Sequence, residues 1–174
     1  MTTIDAVREY DHLRAFYDAS AQLLDQPDAV LFGVNEAVSG WSPAHHLHHI
    51  WVANGRSLAA VLHAASGRGA DEGGPNEAGR VVLERGTIPR NRLNAPAMVQ
   101  PPDDPDRAAL QEALARSRDK LDAIEADLDA LPDAKGRIPH PRMGALNAAE
   151  WLRFVRLHSD HHRAIIQEIL RDSD

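Results

Sequence analysis

The sequence predicts an all-α fold: a four-helix bundle with one long crossover between its second and third helices. Three observations predict it. Four segments carry apolar residues at alternating spacings of three and four, the period of a helix face. Each begins or ends on a cap or a breaker. The 174 residues, 43% hydrophobic and without cysteine, suit a single domain over 1–174 that closes on its own core without a disulfide.

The first helix is predicted from Thr3 to Leu24. Ala6, Tyr10, Leu13, Tyr17, Ser20 and Leu24 share its inner face, and Gln26-Pro27-Asp28 ends it. The second opens at Ser42-Pro43. Ser42 is a good N-cap, and Pro43 fits the first helical position, where a missing N–H costs nothing. It runs to Ala65 and stops at Ser66-Gly67-Arg68-Gly69. The third opens at Asp104-Pro105 by the same logic. Its stripe, Leu110, Leu114, Ser117, Leu121, Ile124, Leu128 and Leu131, has the spacing of a bundle seam, and Pro132 stops it. The fourth opens on a capping box, Asn147-Ala148-Ala149-Glu150, with Leu146 and Trp151 placed as a hydrophobic staple, and runs to Arg171.

The Gly67–Asp103 connection is rich in Gly, Pro and charge, and only Arg80-Val81-Val82-Leu83-Glu84 looks able to form a short strand or a helical turn. A crossover of this length lets two consecutive helices run parallel, which a short loop forbids. Gly136–Ala145, with Pro139 and Pro141, is expected to be a second, irregular link.

Charge and hydropathy exclude several classes. The formal net charge is -7, without a basic stripe, so the chain is a poor candidate for nucleic-acid binding and no nucleic-acid partner is expected. No apolar run approaches the ~18 residues of a membrane span. The Met1–Arg8 segment lacks an apolar signal core, so a cytoplasmic location is expected. With no cysteine in the chain, any thiol chemistry must use a thiol from a partner molecule.

Ten histidines are the compositional oddity, and seven of them fall in two runs, His45–His49 and His158–His162. On the fourth helix Trp151, Val155, His158, His162, Ile165 and Ile169 share one stripe, so the pair at i and i+4 points inward. That is the spacing by which one helix offers two imidazoles to one ion. The zinc-protease motif is rejected. It needs Glu directly after the first His, where this chain has Ser159, and Asp160 is expected to face solvent. On the second helix His46 and His49 are both inward candidates, with His49 the more central. A buried histidine is more often a hydrogen-bonded core residue than a ligand. Two inward histidines with no carboxylate on their stripe, however, call for an ion or water. His12, His63 and His140 read as structural or exposed, and Trp41 and Trp151 as core packing. Arg56, seven residues after His49, either holds an anionic group of substrate or cofactor or sits in an inter-helix ion pair.

Trp41-Ser42-Pro43-Ala44-His45-His46-Leu47-His48-His49-Ile50 resembles the helix-two signature of the DinB-like superfamily. That superfamily includes the YfiT-type metal-dependent hydrolases and bacterial thiol transferases. His158-Ser159-Asp160-His161-His162-Arg163 resembles its helix-four signature, and Gly144–Trp151 its approach to that helix. The resemblance implies an up-down-down-up bundle with His49, His158 and His162 as metal ligands. The chain departs from the usual pattern at His45 and His48, where a carboxylate and a small residue are common. Imidazole suits zinc, nickel, iron and copper alike, and the divalent ions expected are zinc or nickel, then iron. The resemblance further implies a metal-dependent enzyme, a transferase or hydrolase. It would activate a low-molecular-weight thiol or water against a small electrophilic substrate, and a homodimer is expected. The alternative is a non-catalytic metal-binding stress or interaction protein.

Overall fold

A computed structural model of the chain describes residues 3–69, 73–90 and 95–171. It is mostly helical, with one small two-stranded sheet. Helix α1 (Ala6–Ala21) starts where Asp5 accepts the Arg8 N–H at 3.0 Å. Its predicted face is buried at Ala6, Tyr10, Leu13, Tyr17 and Ser20. Leu24 lies in a 3-10 turn, Gln22–Asp25, that follows. A single helical turn, α2 (Asp28–Leu31), comes next and was not expected.

Helix α3 (Pro43–Ala65) begins on Ser42, whose hydroxyl accepts the His45 N–H, with Pro43 in the first turn. Inside the crossover the short apolar run is helical: α4 (Glu77–Arg85) is capped by Asn76 and closed by Gly86 at φ 69°. Only glycine adopts that left-handed conformation without strain.

Helix α5 (Arg107–Asp122) starts on Asp106, two residues later than Asp104-Pro105 suggested, with the Asp106 carboxylate accepting the Ala109 N–H at 2.7 Å. The predicted third helix does not run unbroken to Leu131. It tightens after Asp122 into a 3-10 stretch, Glu125–Asp133, which contains Pro132. Residues three apart eclipse in a 3-10 helix, so Leu128 and Leu131 both stay on the buried side.

The Gly136–Ala145 link is not irregular. Strands β1 (Ile138–His140) and β2 (Gly144–Leu146) pair antiparallel, with Ile138 opposite Leu146 and His140 opposite Gly144. Helix α6 (Ala148–Arg171) then opens on the predicted capping box. Asn147 Oδ1 accepts the Glu150 N–H at 2.8 Å, and Glu150 Oε2 accepts the Asn147 N–H at 2.9 Å. The same Glu150 oxygen pairs with Arg137 at 3.0 Å, which ties the hairpin to the helix start.

Helix α3 packs against α5 on one side and α6 on the other, and α1 packs against α6 and the 3-10 stretch. Their shared core includes Leu13, Tyr17, Leu47, Ile50, Trp51, Leu58, Leu110 and Leu152, all fully buried. Several polar groups in this interior are paired across helices. Tyr17 and Ser117 hydroxyls meet at 2.5 Å, and Asn54 donates to Ser159 Oγ at 2.9 Å. Buried Glu9 of α1 receives Arg153 at 2.6 Å and also Arg156, both from α6. Among the described residues no helix is long and apolar enough to cross a membrane.

Candidate metal centre

The first turns of α3 face the middle of α6. One ring nitrogen each from His49, His158 and His162 lies within 4.8 Å of the other two. His49 is buried, and His158 and His162 are half-buried. The inward i, i+4 pair therefore converges with His49, the helix-two histidine that the resemblance implies.

Hydrogen bonds fix the useful face of His49. Its Nδ1 is 2.8 Å from the Val99 carbonyl oxygen. A carbonyl only accepts, so Nδ1 carries the proton and Nε2 is a bare lone pair. That Nε2 lies 3.2 Å from Nε2 of His158. Two nitrogens on a tetrahedral ion, each ~2.05 Å from it, are about 3.3 Å apart. The donor set and its spacing fit a divalent ion held by neutral imidazoles. A backbone carbonyl behind a ligand histidine is the usual outer support of such a site.

The surroundings are histidine and aromatic. His46 is buried, with Nδ1 3.0 Å from Nδ1 of His162 and Nε2 3.0 Å from Ser39 Oγ. His161 Nδ1 donates to the Ile88 carbonyl at 3.2 Å. Trp41 is half-buried rather than core. Its ring lies 5.3 Å from His46, 5.2 Å from His49 and 6.5 Å from His162, stacked on the last. Phe154 stacks on His158 at 5.8 Å.

Burial disfavours the charged imidazolium throughout. It pushes His46 down to about 3, and neighbouring histidines add to the effect. His158 and His162 are held well below the ordinary histidine value, first by burial and then by the other histidines. His49 is also lowered by burial, partly offset by its bond to Val99. All four are neutral near pH 7, the form that can ligate.

The other candidates lie elsewhere. His45 faces the cap, 2.7 Å from Ser42 Oγ and 3.1 Å from the Asp103 carbonyl. His12 and His63 are exposed. His140 is half-buried against Trp151 and Phe154 and is pushed down to about 4 by burial. Trp151 is core, its Nε1 donating to the Ile138 carbonyl at 3.0 Å. Asp160 does not face open solvent. It is half-buried, paired with Arg156 at 2.6 Å and Arg163 at 2.9 Å. Arg56 is exposed two turns beyond His49. With His48, Glu112 and Lys120 it lines a groove of about 600 Å³ between α3 and α5, and none of the triad histidines lines that groove.

A family model for the DinB superfamily matches residues 11–166. This chain belongs to the DinB superfamily. The matched span of this DinB-superfamily chain holds Trp41, all three converging histidines and the Val99 carbonyl behind His49. No curated protein and no solved structure matches the chain.

Proposed function

We propose that this DinB-superfamily protein is a metal-dependent enzyme that activates a small thiol or water to attack a small electrophile. In this reading the four long helices form the up-down-down-up bundle, and His49, His158 and His162 hold the ion. The single observation that carries it is the meeting of His49 Nε2 and His158 Nε2 at 3.2 Å, with His49 Nδ1 committed to Val99. His49 Nε2 offers a lone pair beside a His158 nitrogen from another helix, and a cation held between them would accept a lone pair from each ring.

A divalent ion held there supplies a lowered pKa for a thiol or water molecule placed beside it, hence a nucleophile near neutral pH. Three protein ligands leave room for that molecule. The chain's own residues orient and enclose. Trp41 and Phe154 flank the rings and exclude water on two sides. The thiol comes from outside, since the chain has no cysteine. Arg56 opens on the α3–α5 groove, which no triad histidine lines, so it takes no part in this reading.

Two measurements test this. Elemental analysis of purified protein is expected to find close to one equivalent of zinc, nickel or iron, absent in His158→Ala. Metal-loaded protein is then assayed with monochlorobimane and a panel of bacterial thiols, where turnover is expected and His158→Ala abolishes it. Metal bound as fully by His158→Ala as by wild type refutes the site. Full occupancy without turnover by any thiol or by water refutes the enzyme and leaves a metal-binding stress or interaction protein.

A further inference from the structure

His46 is the buried histidine that the triad leaves over. It is 3% exposed and lies on α3 one turn before His49. Its Nδ1 is 3.0 Å from Nδ1 of His162, and its Nε2 is 3.0 Å from Ser39 Oγ. That hydroxyl oxygen also accepts the Trp41 N–H at 3.1 Å.

Two neutral imidazole nitrogens at this distance share one proton: one is N–H and the other a lone pair. The chain of bonds can therefore run in two senses. In the first, Ser39 O–H donates to His46 Nε2 and His46 Nδ1–H donates to His162 Nδ1. The proton of His162 then sits on Nε2. In the second, His162 Nδ1–H donates to His46 Nδ1, and His46 Nε2–H donates to Ser39 Oγ. The Nε2 of His162 is then bare.

We propose that His46 is a positioning residue: it accepts the Nδ1 proton of His162 and so turns the Nε2 lone pair of His162 to the centre shared with His49 and His158. The proposal rests on the metal-site reading above. His49 needs no such partner, because the Val99 carbonyl can only accept. His162 has an imidazole in that place, which can donate or accept, so its state depends on His46 and, through it, on Ser39. Trp41, stacked on His162 with 21° between the planes, holds the ring in the orientation this requires. An apolar residue at position 46 would leave the buried Nδ1 of His162 without a partner.

The test uses zinc-loaded full-length protein. Long-range proton–nitrogen correlation spectra report which nitrogen of each histidine carries a proton. Competition with a chelator gives zinc affinity for wild type, His46→Leu and His46→Asn. The Asn side-chain oxygen falls near the place of Nδ1 and only accepts, so it rescues the bond. The expected spectra show His46 protonated on Nε2 and His162 ligated through Nε2. Leu is expected to weaken zinc binding roughly 10- to 100-fold, the usual loss for an outer-shell partner, with Asn within about threefold of wild type. Three results overturn the proposal: His46 protonated on Nδ1, His162 ligated through Nδ1, or His46→Leu binding zinc as wild type does. If Leu prevents folding, the wild-type spectra and the Asn variant decide. Wild-type protein that takes no zinc sinks the metal site and this proposal together, whereas normal affinity in a folded Leu variant sinks the proposal alone.

Discussion

Acidification of the metal-free protein is expected to destabilise it steeply, beginning above the pH range in which its carboxylates titrate. His46 and His140 are pushed down to about 3 and about 4, and His158 and His162 are held well below the ordinary value. In the unfolded chain each returns to a pKa near ~6.5. Below that pH the unfolded chain binds a proton at each of these sites and the folded chain does not. Their neutral burial therefore stabilises the fold fully above ~6.5, and this stability is lost as pH falls toward the folded values. From about one unit below ~6.5 down to the folded values, each such group changes the unfolding free energy by about 1.4 kcal/mol per pH unit, so four of them give a limiting slope near ~5 kcal/mol per pH unit. A domain with roughly 5–15 kcal/mol in hand is then at or past its unfolding midpoint within one to three units. The assay is urea unfolding followed by circular dichroism, with chelator present, at half-unit steps from pH 7 to 5. His140→Gln is expected to flatten the slope by one histidine's share, about 1.4 kcal/mol per pH unit, without touching the triad. Saturating zinc at pH 7 is expected to raise stability by about 2.7 kcal/mol at a hundred times its Kd. An unfolding free energy that moves by less than about 1 kcal/mol between pH 7 and 5 would refute the neutral burial of these rings.

Two further perturbations probe the scaffold. Glu9→Gln removes a buried carboxylate from between Arg153 and Arg156 and is expected to cost about 3 kcal/mol, or roughly 6–12 °C in Tm. Glu125→Gln, in an exposed pair with Arg14, is the control and is expected to cost under about 0.5 kcal/mol; equal losses by calorimetry would contradict the burial argument. Gly144 has φ 84°, and a Cβ there would lie 2.6 Å from the Asn76 nitrogen and 2.7 Å from the Gly74 oxygen. Gly144→Ala is expected to cost about 1–3 kcal/mol in thermal unfolding, and an unchanged Tm would show that the hairpin and crossover part freely.

The legible parts of the fold were those set by local chemistry. Ser42 with Pro43, and Asn147 with Glu150, satisfy nearby backbone N–H groups whatever surrounds them, so their helix starts could be read to the residue. The third helix was misjudged because an apolar stripe does not report how tightly the chain winds. Leu121, Ile124, Leu128 and Leu131 stay buried whether the backbone is α or 3-10. The hairpin was missed because Pro139 and Pro141 argue against strands. Its pairing is short and is anchored from outside, by Gly74 and Met143 bonds that join it to the start of the crossover. The α4 helix had readable ends in Asn76 and Gly86, which the short run Arg80–Glu84 concealed.

At the site, spacing alone could pair His158 with His162, and it left His46 and His49 unranked to within a small preference. The structure gives both a place: His49 meets His158, and His46 meets the far edge of His162. Trp41 was read as core because a lone tryptophan before a helix usually is. The carbonyls of Ile88 and Val99 carry no mark in a sequence at all.

The oxygen behind His49 belongs to the main chain, and every residue type that could replace Val99 brings the same oxygen with it. Drift at that position would leave the ligand's support untouched, and no column of an alignment would register its importance. What the centre cannot absorb is a change in the length of the crossover that carries the oxygen away. Natural variants of this protein should therefore hold the length of the chain leading to Val99 more strictly than the identity of residue 99, whose buried side chain asks only for an apolar group.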